Sequence, residues 1–138
     1  MSTRSMIAKD YGDKIKAIYC HCDGYPEHNG VLLDTYYDND SIIDELIELG
    51  DISYLAKNVK PKADEVHLFE NPIKDVVVAY HRDRGEEKYI REFENLNQLF
   101  NNANDSWCEY LYLWENQEWK TYDISANPIK NMARDLYF

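Results

Sequence analysis

The densest group of chemically versatile side chains in the N-terminal third of the sequence is Cys20-His21-Cys22-Asp23. Together with Cys108 it suggests zinc coordination, because thiolate and imidazole are common zinc ligands. Side chains alternate along a strand, however, so Cys20 and Cys22 would share one face while His21 would point to the other. The sequence has neither a C-x-x-C knuckle nor a second clustered ligand pair. We therefore interpret the cysteines as small, buried apolar residues, and not as zinc ligands or as a nucleophile with His21 as its base.

Two polar groups follow predicted strands: His21 with Asp23, and the run His81-Arg82-Asp83-Arg84. Binding sites concentrate at such positions, because the strand is rigid and the adjoining loop can open. If the two strands are neighbours, these side chains converge with Arg4 and could grip a phosphate or a carboxylate. Alternatively, Asp23 caps the turn at Gly24 and the arginines form an internal ion-pair network. The residues of the predicted ligand site are Arg4, His21, Asp23, Tyr25, His81, Arg82 and Arg84.

An acidic window from Ala17 to Ala56 holds nine Asp and Glu residues and no Lys or Arg. The net charge of the whole chain is -11, which argues against direct nucleic-acid binding, since nucleic-acid binders carry a basic face. One interpretation is a solvated surface that keeps the protein soluble. The other is an anionic surface that binds a basic partner protein. The residues predicted for that partner surface are Asp34, Asp38, Asp40, Asp44, Glu45, Glu48 and Asp51.

Familiar catalytic and cofactor motifs are absent from the sequence: there is no P-loop, dinucleotide-binding glycine pattern, G-x-S-x-G elbow or H-E-x-x-H pair. We therefore expect a protein that is not an enzyme and that uses no cofactor or metal. Twelve Tyr and three Trp exceed what one small core easily buries, and several lie between Cys108 and Asp123. These aromatic residues predict a partner surface or a homodimer.

The length of 138 residues fits a single domain, and a hydrophobic content of 44% is typical of a globular chain. No apolar run approaches the length of a membrane span, so we expect no membrane association. The first residues do not resemble a signal peptide, and three cysteines cannot complete a disulfide framework. The expected location is the cytoplasm.

Period-two and helical patterns predict the elements that position these residues. Residues 2–9 and 14–22 form a hairpin, and the second of these strands is apolar on both faces, which is typical of a central strand. Further strands are predicted at 75–81, 88–93, 108–115 and 119–123, with Arg82-Asp83-Arg84-Gly85-Glu86 as a hairpin loop. Helices are predicted at 27–37, from the cap Ser41 to Gly50, at 94–102 and from the cap Asn127 onwards.

This order of elements predicts a single α+β domain: a mainly antiparallel sheet of about five or six strands, with three or four helices packed on one side.

Four segments carry a recognisable pattern: Met1-Ser2-Thr3-Arg4-Ser5 followed by Ile7-Ala8, Tyr19-Cys20-His21-Cys22-Asp23-Gly24-Tyr25-Pro26, Leu49-Gly50-Asp51-Ile52-Ser53, and Ala79-Tyr80-His81-Arg82-Asp83-Arg84-Gly85. In these segments the chain resembles a family of small, mostly uncharacterised bacteriophage and prophage proteins. The resemblance covers about residues 1–87. It implies a phage accessory protein in the host cytoplasm and transfers no catalytic residues. By analogy with other small acidic phage proteins, it also suggests an inhibitor of host defence of the anti-CRISPR kind.

Two functional hypotheses follow. The leading hypothesis is a non-enzymatic, anti-CRISPR-like inhibitor that binds a basic host or defence protein through the acidic window. The alternative is a sponge protein that sequesters a nucleotide signal of a defence system in the predicted ligand site. If Asp23 is instead a structural cap, its replacement by Ala is expected to cost about 1–2 kcal/mol of stability.

Overall fold

The sheet is built outwards from an antiparallel hairpin of β1 (Ser5–Asp10) and β2 (Ile15–Cys22). The computed structural model describes residues 2–124, so the helix predicted from Asn127 lies outside the described residues. Strand β1 pairs Ser5 with Cys20 and Asp10 with Ile15. Strand β2 has buried side chains on both faces and other strands along both edges, which confirms its predicted central position.

Five further strands complete a seven-stranded mixed sheet, and they are β3 (Ile52–Tyr54), β4 (Val78–Ala79), β5 (Arg91–Phe93), β6 (Tyr110–Glu115) and β7 (Glu118–Asp123). The strand order is β4-β3-β2-β1-β6-β7, and β5 pairs with the first part of β2 beside β3. The β1–β6 and β2–β3 pairings are parallel, while the others are antiparallel. The predicted α+β class is therefore confirmed, with more strands than expected.

Helices cover both faces of the sheet, so the prediction that they lie on one side was wrong. They are α1 (Val31–Tyr36), which follows a π-helical turn at Pro26–Gly30, α2 (Asp40–Glu48), α3 (Tyr80–Arg84) and α4 (Leu96–Asp105). Buried residues of α1 and α2 pack with Ile7, Ile18 and Tyr112 on one face. Helix α4 packs on the other face. Alternation along the central strands thus builds two cores, one on each side.

The start of α2 differs by two residues from the prediction. The cap is Asn39, whose side-chain oxygen accepts a hydrogen bond from the Ile42 N–H at 3.1 Å, and Ser41 lies inside the helix. Asn39 is a strong capping residue, and its extended backbone is typical of this position. Gly50 follows the helix with φ of 75°, as predicted for its end. No helix in residues 2–124 has the length and apolarity required to cross a membrane.

The strand predicted at 75–81 is confined to Val78–Ala79, and the predicted hairpin loop that follows it is helix α3. The Ala79 N–H donates to Asp83 Oδ2 at 2.8 Å, which closes the chain into a helical turn. Gly85, with φ of 74°, ends that turn. The valine run is buried, but burial of such a run does not require a long strand. The hairpin prediction for this segment was therefore wrong.

Candidate functional site

The corner between β2 and α1 is fixed by close backbone approach at Gly24. Its N–H donates to the Thr3 carbonyl at 2.8 Å, and its own carbonyl accepts from the Tyr112 hydroxyl at 2.6 Å. A Cβ atom on Gly24 would lie 2.5 Å from Ser5 Oγ, closer than real contacts allow. Only glycine therefore fits here, and the sharp corner predicted from the sequence depends on this position.

Asp23 does not perform the capping role predicted for it. Its carboxylate accepts no hydrogen bond from any residue in the range 2–124, although its backbone carbonyl lies 3.1 Å from His28 Nδ1. The backbone of Asp23 is left-handed, with φ of 54°, a conformation that Asp tolerates better than most residues. The conformation of Asp23, and not its carboxylate, contributes to the corner.

The cysteines behave as predicted for buried apolar residues at two of their three positions. Cys20 and Cys108 are buried, and burial raises the pKa of their thiols to about 11 and about 12. Both thiols are therefore protonated at neutral pH and are poor nucleophiles. Cys22 is half-buried and lies 4.0 Å from Ser53 Oγ. Among the described residues, no group of three His, Cys, Asp or Glu side chains is placed to hold a metal ion.

The predicted ligand site does not form as a single site. His21 lies beside Tyr19, with its Nδ1 2.9 Å from the Tyr19 hydroxyl. Burial raises the pKa of Tyr19 to about 12, against the opposing effect of the nearby Arg4 guanidinium. Arg4 and His21 thus both lie near Tyr19. Tyr25 instead stacks on the ring of His28 at the corner, at a centroid distance of 6.2 Å.

The three remaining residues of the predicted ligand site, His81, Arg82 and Arg84, form contacts in and around α3. Arg84 lies over the Phe69 ring, 4.3 Å from its centroid, and pairs with Glu86. His81 Nδ1 donates to the Glu86 carbonyl at 2.7 Å. Arg82 donates to the carbonyls of Val59 and Val77, both at 2.6 Å. Among residues 2–124 no hydrogen bond or ion pair joins these groups to His21, and α3 contains the internal network that the sequence left as an alternative.

A buried polar network around Asp83 includes a residue that the sequence reasoning missed, His67. The side chains of Asp83 and His67 are 3% and 2% exposed, and His67 Nε2 lies 3.2 Å from Asp83 Oδ2. His67 Nδ1 accepts the Ile73 N–H, so the proton of the neutral ring is on Nε2. Arg82 donates to both carboxylate oxygens, at 2.8 and 3.0 Å. The network fixes the connector between β3 and β4 to α3.

The acidic window contains three carboxylates that are tied to the fold. The Lys9 ammonium, whose side chain is 8% exposed, lies 3.2 Å from Asp40 and 2.7 Å from Asp44. Asp51 accepts two hydrogen bonds from Arg91, at 2.5 and 3.2 Å, and one from the Tyr19 N–H. Basic residues distant in sequence therefore neutralise these three positions, and they are poor candidates for a partner surface.

Hydrogen bonds from the β6–β7 hairpin further fix Asp40. Its two oxygens accept from Trp114 Nε1 and Gln117 Nε2, both at 2.9 Å. These bonds and Lys9 lower the pKa of Asp40. Trp119 Nε1 donates to the Tyr37 carbonyl at 2.8 Å. Trp114 and Trp119 thus form hydrogen bonds within the fold. The β6–β7 hairpin is therefore not the exposed aromatic surface that the composition predicted.

Of the seven residues predicted for the partner surface, the four that are not fixed in this way are all exposed, and they are Asp34, Asp38, Glu45 and Glu48. Asp38 accepts from the neighbouring Asn39 side chain, and Glu45 lies 3.9 Å from the Lys60 ammonium. Asp34 and Glu48 form no ion pair with any residue in the described range. These four residues lie on and between α1 and α2, on the solvent side. We define them as the acidic surface.

Comparison of this chain with protein-family models, with curated proteins and with solved structures finds no match in any of the three.

Proposed function

We propose that this protein is a non-enzymatic inhibitor that binds a basic host or defence protein through the acidic surface. The observation that carries the proposal is the exposure of Asp34, Asp38 and Glu48 on and between two successive helices, where no lysine or arginine pairs with them among residues 2–124. The inhibitory role is taken by analogy with other small acidic phage proteins.

The physical basis is long-range attraction between surfaces of opposite charge. Exposed carboxylates that are not internally paired keep their field available to a partner, and such fields speed association by about tenfold to a thousandfold at low salt. Salt weakens the attraction over a distance of roughly 10 Å at 0.1 M ionic strength. Tyr36 and Val31, which are 46% and 47% exposed on α1, supply apolar contact area beside the charges.

The test uses a triple variant, Asp34→Asn, Asp38→Asn and Glu48→Gln. Asp40 and Asp44 are left unchanged because they hold Lys9, and Glu45 is left unchanged because it faces Lys60. A matched control removes three exposed carboxylates elsewhere, by Asp64→Asn, Glu70→Gln and Glu87→Gln. Tagged full-length proteins are used to capture partners from a bacterial lysate, and the captured protein is then purified for kinetic measurements.

We expect the unmodified chain and the control to capture the same basic protein. The triple variant should associate with it at least about tenfold more slowly at low salt, at unchanged melting temperature. Undiminished binding by the triple variant at low salt would contradict the proposal, since charge pairs matter most where screening is weakest. The captured sample is also heated to release small molecules. Release of a nucleotide would favour the alternative function, a sponge protein.

A further inference from the structure

A groove of mixed polar and apolar character lies between α1 and the connector that joins β3 to β4. It consists of two adjoining cavities of about 600 and 460 Å³. Both are lined by Tyr36, Lys57, Lys74, Asp75 and Val76. These volumes are in the range of cavities that hold small organic ligands. The groove adjoins the acidic surface, because Glu45 lines the first cavity and Tyr36 lines both.

The first cavity concentrates positive charge in a chain that is strongly acidic. Four of the 15 Lys and Arg residues line it: Lys57, Lys60, Lys62 and Lys74. Two of the three carboxylates that share it are already engaged. Glu45 faces Lys60 at 3.9 Å, and Glu65 accepts the Lys62 backbone N–H at 2.9 Å.

Lys57 and Lys74 stand at the junction of the two cavities, and neither pairs with an acidic side chain within residues 2–124. Their ammonium groups are therefore free to bind an anion there.

The second cavity supplies flat rings above an apolar floor. Tyr36 and Tyr54 are 46% and 36% exposed. The His28 ring packs against Tyr54 at a tilt of 42° and a centroid distance of 4.9 Å, and His28 Nε2 lies 3.0 Å from the Tyr54 hydroxyl. The floor includes Leu55 and Val78, which are buried. Such rings stack on planar bases with little dependence on base identity.

The groove wall is rigid because the connector is held at several points. The Val77 N–H donates to the Asn58 carbonyl at 2.9 Å, and the Asn58 N–H donates to the Asp75 carbonyl at 3.0 Å. Asp75 is held at φ of 66°, in the left-handed region that favours glycine. The Asp83 network anchors the other end of the connector.

We propose that this groove binds a nucleotide, with the base against Tyr36, Tyr54 and His28 and the phosphates on Lys57 and Lys74. Ammonium groups bind phosphate by charge-assisted hydrogen bonds, and the adjoining aromatic pocket fits a planar ring. The inference does not rest on Asp34, Asp38 or Glu48, which line neither cavity. It places nucleotide binding at residues other than those predicted from the sequence.

The test measures binding of three nucleotides, AMP, ATP and cyclic di-GMP, to the full chain by calorimetry and thermal melting. Adenosine and inorganic tripolyphosphate probe the ring and the charge separately. We expect at least one nucleotide to bind more tightly than both. Lys57→Gln with Lys74→Gln should weaken that binding about tenfold or more, as loss of hydrogen bonds to charged groups does. Tyr36→Ala should weaken it as well.

The control variant, Lys14→Gln with Lys88→Gln, removes two lysines that do not line the groove and should bind unchanged. Circular dichroism and melting temperature establish that each variant is folded. Three outcomes would overturn the proposal: no nucleotide binding with a dissociation constant below about 1 mM, tripolyphosphate binding as tightly as every nucleotide, or equal loss of binding in the control variant.

Discussion

Replacement of Asp83 by Asn tests how far the connector depends on one buried carboxylate. The Asp83 side chain accepts from Arg82 Nε and Nη2 and from the Ala79 N–H, and it faces the Nε2 proton of His67. Asparagine offers one acceptor oxygen and one NH₂ group. An NH₂ group in the place of Oδ1 would point at Arg82 Nε, and one in the place of Oδ2 would point at Arg82 Nη2, the Ala79 N–H and His67 Nε2. The substitution removes the charge and creates a donor–donor clash.

The expected loss is about 3 kcal/mol for Asp83→Asn and about 4 kcal/mol for Asp83→Ala, since breaking a buried ion pair typically costs about 3–5 kcal/mol. Urea unfolding followed by circular dichroism at neutral pH measures it. Asp64→Asn, an exposed position in the same connector, is the control and should change stability by less than about 0.5 kcal/mol. A loss below about 1 kcal/mol for Asp83→Asn, at unchanged denaturant slope, would refute the reasoning.

The same carboxylate predicts a pH dependence. Burial by itself raises the pKa of Asp83, but Arg82, the Ala79 N–H and His67 outweigh it, so the pKa lies below the ordinary 3.8. A carboxyl whose pKa is lowered by folding stabilises the protein above its unfolded pKa, and that contribution is lost as the pH falls through the folded value. The stabilities of the unmodified chain and Asp83→Asn should therefore converge in acid below about pH 3.8.

Two further substitutions test the β2–α1 corner. Gly24→Ala should destabilise the protein by about 3 kcal/mol, as overpacking does. The control is Gly85→Ala, whose added Cβ meets nothing within 4 Å and which should cost only about 1 kcal/mol for its positive φ. Equal melting temperatures of the two variants would contradict the close-approach argument. Asp23→Ala should change stability by less than about 1 kcal/mol, because its carboxylate has no partner within the described chain and only its left-handed backbone is affected; a loss of 2 kcal/mol or more in urea unfolding would restore the capping role.

Most strands and helices could be predicted because their signals are local. The apolar runs of β1 and β2, the apolar stripe of α2 and the tyrosine-rich β6–β7 hairpin each lie within one short segment. The run Val76–Val78 misled the prediction, because a short buried β-branched run occurs in strands and in irregular segments alike. Helix α3 forms there since Asp83 captures the Ala79 N–H, a contact that spacing alone does not reveal.

The parallel pairing of β1 with β6 was also beyond local reasoning. Its partners, such as Ser5 and Tyr110, are separated by most of the chain. The sequence shows three segments with hairpin-like spacing, but it does not show which edges meet. The same holds for the two-sided helix arrangement: the stripe of α4 predicts that one face is buried, but not against which side of the sheet.

The acidic window illustrates why charge patterns in sequence overestimate a surface. Each of the nine carboxylates lacks a nearby base in sequence, yet Lys9 reaches Asp44 and Arg91 reaches Asp51 across 35 and 40 residues. Lys9 lies on the β1 face that α2 covers, so burying its ammonium requires carboxylates on that helix. The carboxylates that lie over Lys9 are therefore structural, and those farther along α2 or on α1 remain exposed on the surface that we propose for partner binding. The sequence shows how many carboxylates there are. Which of them pair with Lys9 or Arg91, and which stay exposed, depends on the sheet register and on the rotation of the helices.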